Sequence, residues 1–286
     1  MVVFPNCKIN LGLHITSKRQ DGYHNVESVM LPVGWSDVLE IVEHGLKRPD
    51  EKLLTGYAVS GKVHFYSYGI PISGNAEGNL CIQVYHLLEE WFNLSEVDIH
   101  LIKNVPIGAG LGGGSADAAF CLKALKEFFS LTISDLEAKT LLAKIGSDCP
   151  FFWDNRPSFT FGKGDEMRNI EMDLANKWVL LVYPNIAIST AQAYSGVKPK
   201  QPLVDLELLS SLPIESWREV IVNDFEESVF PIYPELIKIK EQFYAAGAEY
   251  SSLSGSGSTM YGFFSKEPTI PNEWKEFKFW VGKIKV

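Results

Sequence analysis

The chain has 286 residues, of which 46% are apolar and 21% charged, and its formal net charge is −9. That is enough apolar material for one large or two ordinary domains, and the negative balance argues against a generic nucleic-acid binder, which needs a basic face. No stretch reaches the length of a membrane span, and the first eight residues lack the basic-then-apolar pattern of a secretion signal. Cys7, Cys81, Cys121 and Cys149 lie far apart with no C-x-x-C spacing, so reduced thiols in a cytoplasmic protein are expected.

Residues 2–15 read as a strand. Ile9, Leu11, Leu13 and Ile15 alternate with Lys8, Asn10, Gly12 and His14, which places the second set on a polar face. A turn follows at Asp21-Gly22, with two flat rings, Tyr23 and His24, at its exit. The text from Asn25 to about Ile72 is β-rich over Val26–Val33, Val38–Val42 and Lys62–Tyr68. Residues 79–92 have helical periodicity, with Asn79 as N-cap and Leu80, Val84, Leu87, Leu88 and Trp91 on the expected apolar face.

Val97–Ile102 reads as a strand that ends in the turn Lys103-Asn-Val-Pro106. Five glycines and Ser115 then crowd positions 108–115, ahead of the helical run Ala116, Ala118, Ala119, Leu122 and Leu125. Glycines let backbone N–H groups converge, and a helix start adds unpaired N–H groups and the positive end of its dipole. The combination makes an anion cradle, with phosphate the usual anion. It lacks the lysine of G-x-x-x-x-G-K-[ST]. It does satisfy G-x-G-x-x-G at Gly108, Gly110 and Gly113, which keeps a dinucleotide-binding oxidoreductase as the alternative, although no acidic strand end follows at the spacing that fold needs.

Ser134-Asp-Leu-Glu137 is a capping box opening a helix that Gly146 closes. Asp148 then sits in a short turn before Phe151-Phe-Trp153. A second glycine–charge turn, Phe161–Asp165, precedes the apolar strand Trp178–Tyr183, and Ser189–Tyr194 begins a helix. Region 198–218 is mixed loop and short helix. Helices follow over 224–230 and 234–246, with Gly247 just past the end. Ser251–Thr259 is a second glycine–serine loop, leading into the strand Met260–Phe264. The weakest join is Asn155-Arg-Pro157, so the expected domains are 1–156 and 157–286.

Three stretches together resemble the GHMP kinases, a family of small-molecule kinases with a non-Walker phosphate loop: Pro5–Leu13, Pro106–Ala119 and Leu253–Ser258. Lys-Ile-Asn-Leu at 8–11, Asp-Gly-Tyr-His at 21–24, Gly-Leu-Gly-Gly-Gly-Ser at 110–115 and Gly-Ser-Asp-Cys-Pro at 146–150 are similar to the members that act on a cytidine diphosphate-linked methylerythritol in the non-mevalonate isoprenoid route. Three places depart from the usual pattern: Cys7 for alanine, Ala109 for glycine, and Ala116-Asp117 where Ser-Asn is commoner.

The resemblance implies an α+β, two-domain fold. Its N-terminal half would be like domain 2 of ribosomal protein S5, its C-terminal half ferredoxin-like, with the active site in the cleft between them. It implies an ATP-dependent phosphotransferase acting on the acceptor's 2-hydroxyl, with Mg²⁺. Asp148 maps to the catalytic base and Lys8 to its charged partner. ATP would be held by Lys103, Pro106, Gly108, Ala109, Gly110, Leu111, Gly112, Gly113, Gly114, Ser115 and Ala116, with Ser115 also the candidate Mg²⁺ contact. The acceptor would meet Asn10, Tyr23, His24, Thr190, Tyr194, Gly255, Ser256 and Gly257, the rings of Tyr23, His24 and Tyr194 stacking around the cytosine. Sibling kinases of mevalonate phosphates, homoserine or sugars, an ATP-dependent decarboxylase and a non-catalytic binding protein are the other readings of the same motifs. Monomer and homodimer are both compatible with the sequence. Partners other than a small molecule, whether nucleic acid or membrane, are not expected.

Overall fold

Pro5, which has no N–H to give a ladder, splits the first expected strand into β1 (Val2–Val3) and β2 (Asn6–Lys18). This computed structural model describes residues 1–46, 49–202 and 204–285. Leu203, within the stretch expected to be mixed loop and short helix, is outside the described residues. The remaining strands of the first half are β3 (His24–Ser36), β4 (Val38–Glu43), β5 (Leu54–Ser60), β6 (Val63–Gly69) and β7 (Val97–Lys103). After them come β8 (Ser158–Phe161), β9 (Glu166–Asn169), β10 (Trp178–Tyr183), β11 (Tyr250–Leu253), β12 (Met260–Phe264) and β13 (Lys278–Lys283). The helices are α1 (Leu80–Glu89), α2 (Gly113–Phe128), α3 (Asp135–Ile145), α4 (Cys149–Asp154), α5 (Thr190–Ser195), α6 (Trp217–Val220), α7 (Phe225–Val229) and α8 (Pro234–Ala245).

Two compact units form, and neither follows chain order. The first comprises Met1–Cys7, Trp35–Ile107 and Gly112–Asn155; the second comprises Lys8–Gly34, Gly108–Leu111 and Arg156–Val286.

The first unit is built on a five-stranded sheet ordered β1-β4-β7-β6-β5, in which β6 and β7 run parallel and the other pairs antiparallel. A parallel pair needs a crossover, and α1 supplies it. Helix α1 packs on β6 and α2 on β4 and β1, while α3 and α4 rest on α2. Phe65, Ile99 and Leu101 therefore point inward and are buried, while the alternate residues Tyr66 and His100 turn to the other face and stack on each other at 4.7 Å. Asn79 caps α1, its Oδ1 accepting from the N–H groups of Cys81 (2.9 Å) and Ile82 (3.4 Å). The buried stripe of α1 is Cys81, Ile82, Val84, Tyr85 and Leu88, rotated from the expected face, so that Trp91 is exposed. The expected capping box of α3 is present, with Ser134 and Glu137 bonding reciprocally. Gly146 does follow α3, but in extended rather than left-handed geometry.

The second unit holds two four-stranded sheets. One runs β2-β3-β8-β9. The other runs β11-β12-β10-β13 and is antiparallel throughout. In chain order its strands alternate β-α-β-β-β, helices α5–α8 carrying the chain from β10 to β11. Its core gathers Leu180, Val182, Phe243, Leu253, Met260 and Trp274. β8, β9, β11 and β13 escaped the sequence reading: they are short or lie among charged residues.

The polar face of β2 differs from its expected role. Lys8, Asn10 and His14 are all buried, because β2 is covered on both sides and its alternation marks two kinds of interior. All four cysteines are buried free thiols, as expected. Among the described residues no helix is long and apolar enough to cross a membrane.

Leu180 lies fully buried on an interior strand of its sheet. Leu180→Ala should lower stability by about 2–5 kcal/mol, whereas Ser134→Ala, which removes one exposed cap, should cost only about 1 kcal/mol. Urea midpoints of the two variants measure the difference.

Candidate active site

Each unit contributes its own cluster of the residues that the sequence singled out. The glycine loop is one continuous stretch of chain, but Gly108–Leu111 belongs to the second unit and Gly112–Ser115 to the first.

In the second unit the buried Lys8 ammonium donates to Asn10 Oδ1 (2.5 Å) and to the Gly110 carbonyl (3.3 Å). Asn10 is oriented from several sides. Its Nδ2 donates to Ser28 Oγ (2.8 Å), which donates in turn to the Gly12 carbonyl (2.7 Å), and Tyr261 donates its hydroxyl to the Asn10 carbonyl (2.8 Å). The expected loop at 251–259 narrows to the hairpin turn Ser254–Thr259 between β11 and β12. Ser254 Oγ donates to the Gly110 carbonyl (2.8 Å), the Thr259 N–H to the Ala109 carbonyl (3.3 Å), and the Lys8 N–H to the Leu111 carbonyl (3.0 Å). The packing leaves no room for a side chain: a Cβ on Gly110 would stand 1.9 Å from the Ser254 carbonyl oxygen. Gly110 also has φ +78°, and Gly255 and Gly257 in the facing turn have positive φ as well. Asn223 closes the turn by donating from Nδ2 to the carbonyls of Leu253 and Gly255 (both 2.8 Å).

The rings expected to hold a base are in the same unit. Tyr23 is 63% exposed, and Lys163 sits over its ring at 5.4 Å. Asp21 shapes the turn by accepting from the Tyr23 N–H at 3.1 Å. Slight desolvation of its carboxyl is outweighed by that bond and by Arg19, which together hold it below its ordinary value. His24 and Tyr194 stack directly on one another, centroids 5.0 Å apart, with Tyr194 edge-on to Phe225. A base between two rings needs about 7 Å, two contact layers, so these rings form a pair rather than an open slot. Thr190 is exposed at the first position of α5, and the cap is Ser189, whose Oγ accepts from the Gln192 N–H.

In the first unit α2 begins with Gly112 in the N-cap position at φ +67°, with no side-chain cap hydrogen bond. Its leading N–H groups and dipole end are thus left for an anion. Ser115, the third residue of the helix and not its cap, is hydrogen-bonded to Cys149. Burial pushes the Cys149 thiol up to about 11; the Ser115 bond opposes this and the nearby Asp148 carboxylate adds to it. Asp148 occupies the N-cap position of α4 without a side-chain cap bond, and Ser147 Oγ lies 3.5 Å from its Oδ1.

Lys103, expected near the nucleotide, is buried between Asp37 and Asp117, donating to both; the Asp117 contact is 2.7 Å. Burial alone would push its ammonium down, but the two carboxylates prevail and hold it above the ordinary lysine value. Desolvation raises the Asp117 carboxyl well above its usual range, against the pull of Lys103. Asp37 also accepts from the N–H groups of Asn104 (2.6 Å) and Val105 (2.8 Å), fixing the turn before the glycine loop. Sequence reasoning missed Asp37, Ser28, Asn223 and Tyr261. None sits in a local motif, and each acts on residues far away in the chain.

Family models match the chain in two places: the GHMP kinases N terminal domain over residues 79–163 and the GHMP kinases C terminal over residues 205–279. The chain is 43% identical over 275 residues to a 4-diphosphocytidyl-2-C-methyl-D-erythritol kinase of Bacteroides thetaiotaomicron, covering 96% of each. It is 42% identical over 287 residues to the enzyme of that name in Parabacteroides distasonis, covering 99% of this chain and 100% of that one. A crystal structure of 4-(cytidine 5'-diphospho)-2C-methyl-D-erythritol kinase superposes with a TM-score of 0.75 at 27% identity, over 92% of this chain and 89% of that one. The mevalonate kinase of Methanococcus jannaschii shares the fold, with a TM-score of 0.69 at 14% identity over 100% and 98% of the two chains.

Gly108 and Gly110 separate conformational strain from crowding. A Cβ at Gly108 would meet nothing within 4 Å, so Gly108→Ala should cost only the left-handed strain of about 1–2 kcal/mol. Gly110→Ala adds a backbone collision and should cost more in urea stability. It should also weaken ATP binding more in calorimetry.

Proposed function

Because the chain belongs to the GHMP kinase family, we propose that it transfers the terminal phosphoryl group of ATP to the 2-hydroxyl of 4-diphosphocytidyl-2-C-methyl-D-erythritol, in the non-mevalonate route to isoprenoid precursors. The observation that carries phosphoryl transfer is the uncapped α2 N-terminus behind a left-handed glycine. The relatives' shared name supports the choice of acceptor. The two-domain fold with mixed helices and strands is that of the family.

Phosphoryl transfer requires positioning, charge compensation and a destination for the hydroxyl proton. The bond between the acceptor oxygen and the γ-phosphorus forms as the bridge to the β-phosphate breaks. The hydroxyl proton goes to Asp148, and ADP leaves. The backbone of Gly108–Ser115 holds the phosphates, with Pro106 and Ala116 flanking it. The uncapped first turn of α2 fits that cradle. Mg²⁺, when bound with ATP, neutralises charge on the phosphate oxygens. Ser115 is the side chain we assign to it, one hard oxygen among donors drawn largely from phosphate and water. Lys103 lies behind this loop, and its ion triad sets the turn that feeds it.

Lys8 supplies positive charge to the developing alkoxide. Among its partners are a neutral amide and a peptide carbonyl. Asn10 contacts the acceptor end, and Gly255, Ser256 and Gly257 leave room for its phosphates. The cytosine stacks on the exposed ring of Tyr23 and on His24, which Tyr194 backs from behind. Thr190 is assigned a peripheral contact.

The decisive assay is ADP release from Mg·ATP with this acceptor, with phosphorus NMR of the product. A new phosphomonoester on the acceptor is expected, and turnover only with a different alcohol would replace the substrate assignment. Asp148→Ala and Lys8→Ala should each lower kcat by at least about a hundredfold with unchanged circular dichroism, and near-normal turnover in either folded variant would end the mechanism. Tyr23→Ala should raise the acceptor KM by roughly tenfold or more and leave the ATP KM in place.

A further inference from the structure

On the first unit's five-stranded sheet, three adjacent strands bring together residues that are scattered in the chain. His44 follows β4, Glu96 precedes β7, and His64 lies on β6. In the sheet order β4 and β6 flank β7. The register sets Glu43 opposite Val97 and His64 opposite Asp98, so the two imidazoles straddle the acidic β7 end. One donor atom from each of His44, His64 and Glu96 falls within a common 4.8 Å span. We propose that this cluster is a binding site for a zinc-class divalent transition-metal ion, separate from the nucleotide's Mg²⁺.

The chemistry of the donors argues for that ion class. Two imidazoles and one carboxylate suit zinc and its first-row neighbours, whereas Mg²⁺ prefers an all-oxygen shell. The surrounding groups are those that orient ligating histidines. The buried Asp98 places Oδ1 2.7 Å from His44 Nδ1. A carboxylate accepts there, so Nδ1 carries the proton and Nε2 keeps its lone pair. Asp98 is held in turn by the Gly45 N–H at 3.2 Å. On the other side, Tyr57 OH lies 3.1 Å from His64 Nδ1, and Glu96 Oε1 lies 2.9 Å from His64 Nε2. Binding moves the His64 proton from Nε2 to Nδ1, where the Tyr57 oxygen accepts it, and the metal takes the place between Nε2 and Glu96. Charge also balances: the two charges of the cation meet the carboxylates of Glu96 and Asp98.

One rearrangement is required. The His44 and His64 rings stack at 3.8 Å with planes 19° apart, and parallel rings aim their lone pairs side by side, not at one point. His44 has room to turn. It is 37% exposed and lies in the turn beyond β4, whereas the 15% exposed His64 is fixed on its strand. A bound ion would tie the ends of β4, β7 and β6 together.

The test is calorimetric titration of the 286-residue chain with zinc chloride in the absence of nucleotide, with cobalt(II) as a spectroscopic probe. One ion per chain is expected, with visible d–d absorption from cobalt. Affinity should fall at least about tenfold in His64→Gln and in Glu96→Gln, and the melting temperature should rise with zinc in the unmodified chain only. Kinase turnover should be unchanged in both variants, which separates this site from the proposed reaction. Absence of binding, or titrations of unmodified chain and His64→Gln that superimpose, overturns the proposal. If His64→Gln fails to fold, His44→Gln, altered at the more exposed ring, serves in its place under the same criteria.

Discussion

The tightest constraint in the second unit is the backbone contact at Gly110. The Ser254 carbonyl stands where a side chain would begin, so the glycine loop and the β11–β12 turn meet main chain to main chain. Once that contact exists, the Ser254 hydroxyl and the Thr259 N–H reach the carbonyls of Gly110 and Ala109, and the Lys8 N–H reaches Leu111. The Gly110 carbonyl then stands within reach of the Lys8 ammonium. A loop held this way loses little entropy when a ligand arrives, which is how preorganised sites gain affinity and rate.

Among the described residues, the ammonium groups of Lys103 and Lys8 are both buried. Lys103 is neutralised on the spot by Asp37 and Asp117. Removing one partner of such an arrangement strands a charge in the interior, so the group serves as a fixed structural node. Lys8 has among its partners the side-chain amide oxygen of Asn10 and a peptide carbonyl. These two bonds fix where the ammonium points. Asp148 stands at a helix start where an aspartate would ordinarily cap, and it makes no side-chain cap bond.

Much of the local structure was legible because its causes are local. Asn79 and Ser134 are capping residues within three positions of the N–H groups they serve. The order of strand, glycine loop and helix at 97–128 follows from apolar pattern and glycine density alone. The short strands β8, β9, β11 and β13 were not legible, since a four- to six-residue strand takes its identity from the strand beside it. The rotated face of α1 has the same origin: Leu80, Leu87 and Trp91 are apolar, but the position of the sheet decides which side of the helix is covered.

By itself, then, the sequence determined the glycine-rich stretch ahead of α2, the caps at Asn79 and Ser134, and through its spaced motifs the family. Only the tertiary structure decided that the polar face of β2 is interior, that His24 pairs with Tyr194, that Lys103 is locked between carboxylates 66 and 14 residues away, and that His44, His64 and Glu96 converge. The physical reason is range. Backbone torsions and caps act across a few residues, whereas burial, ion pairing and ligand convergence depend on which distant strands the fold lays side by side.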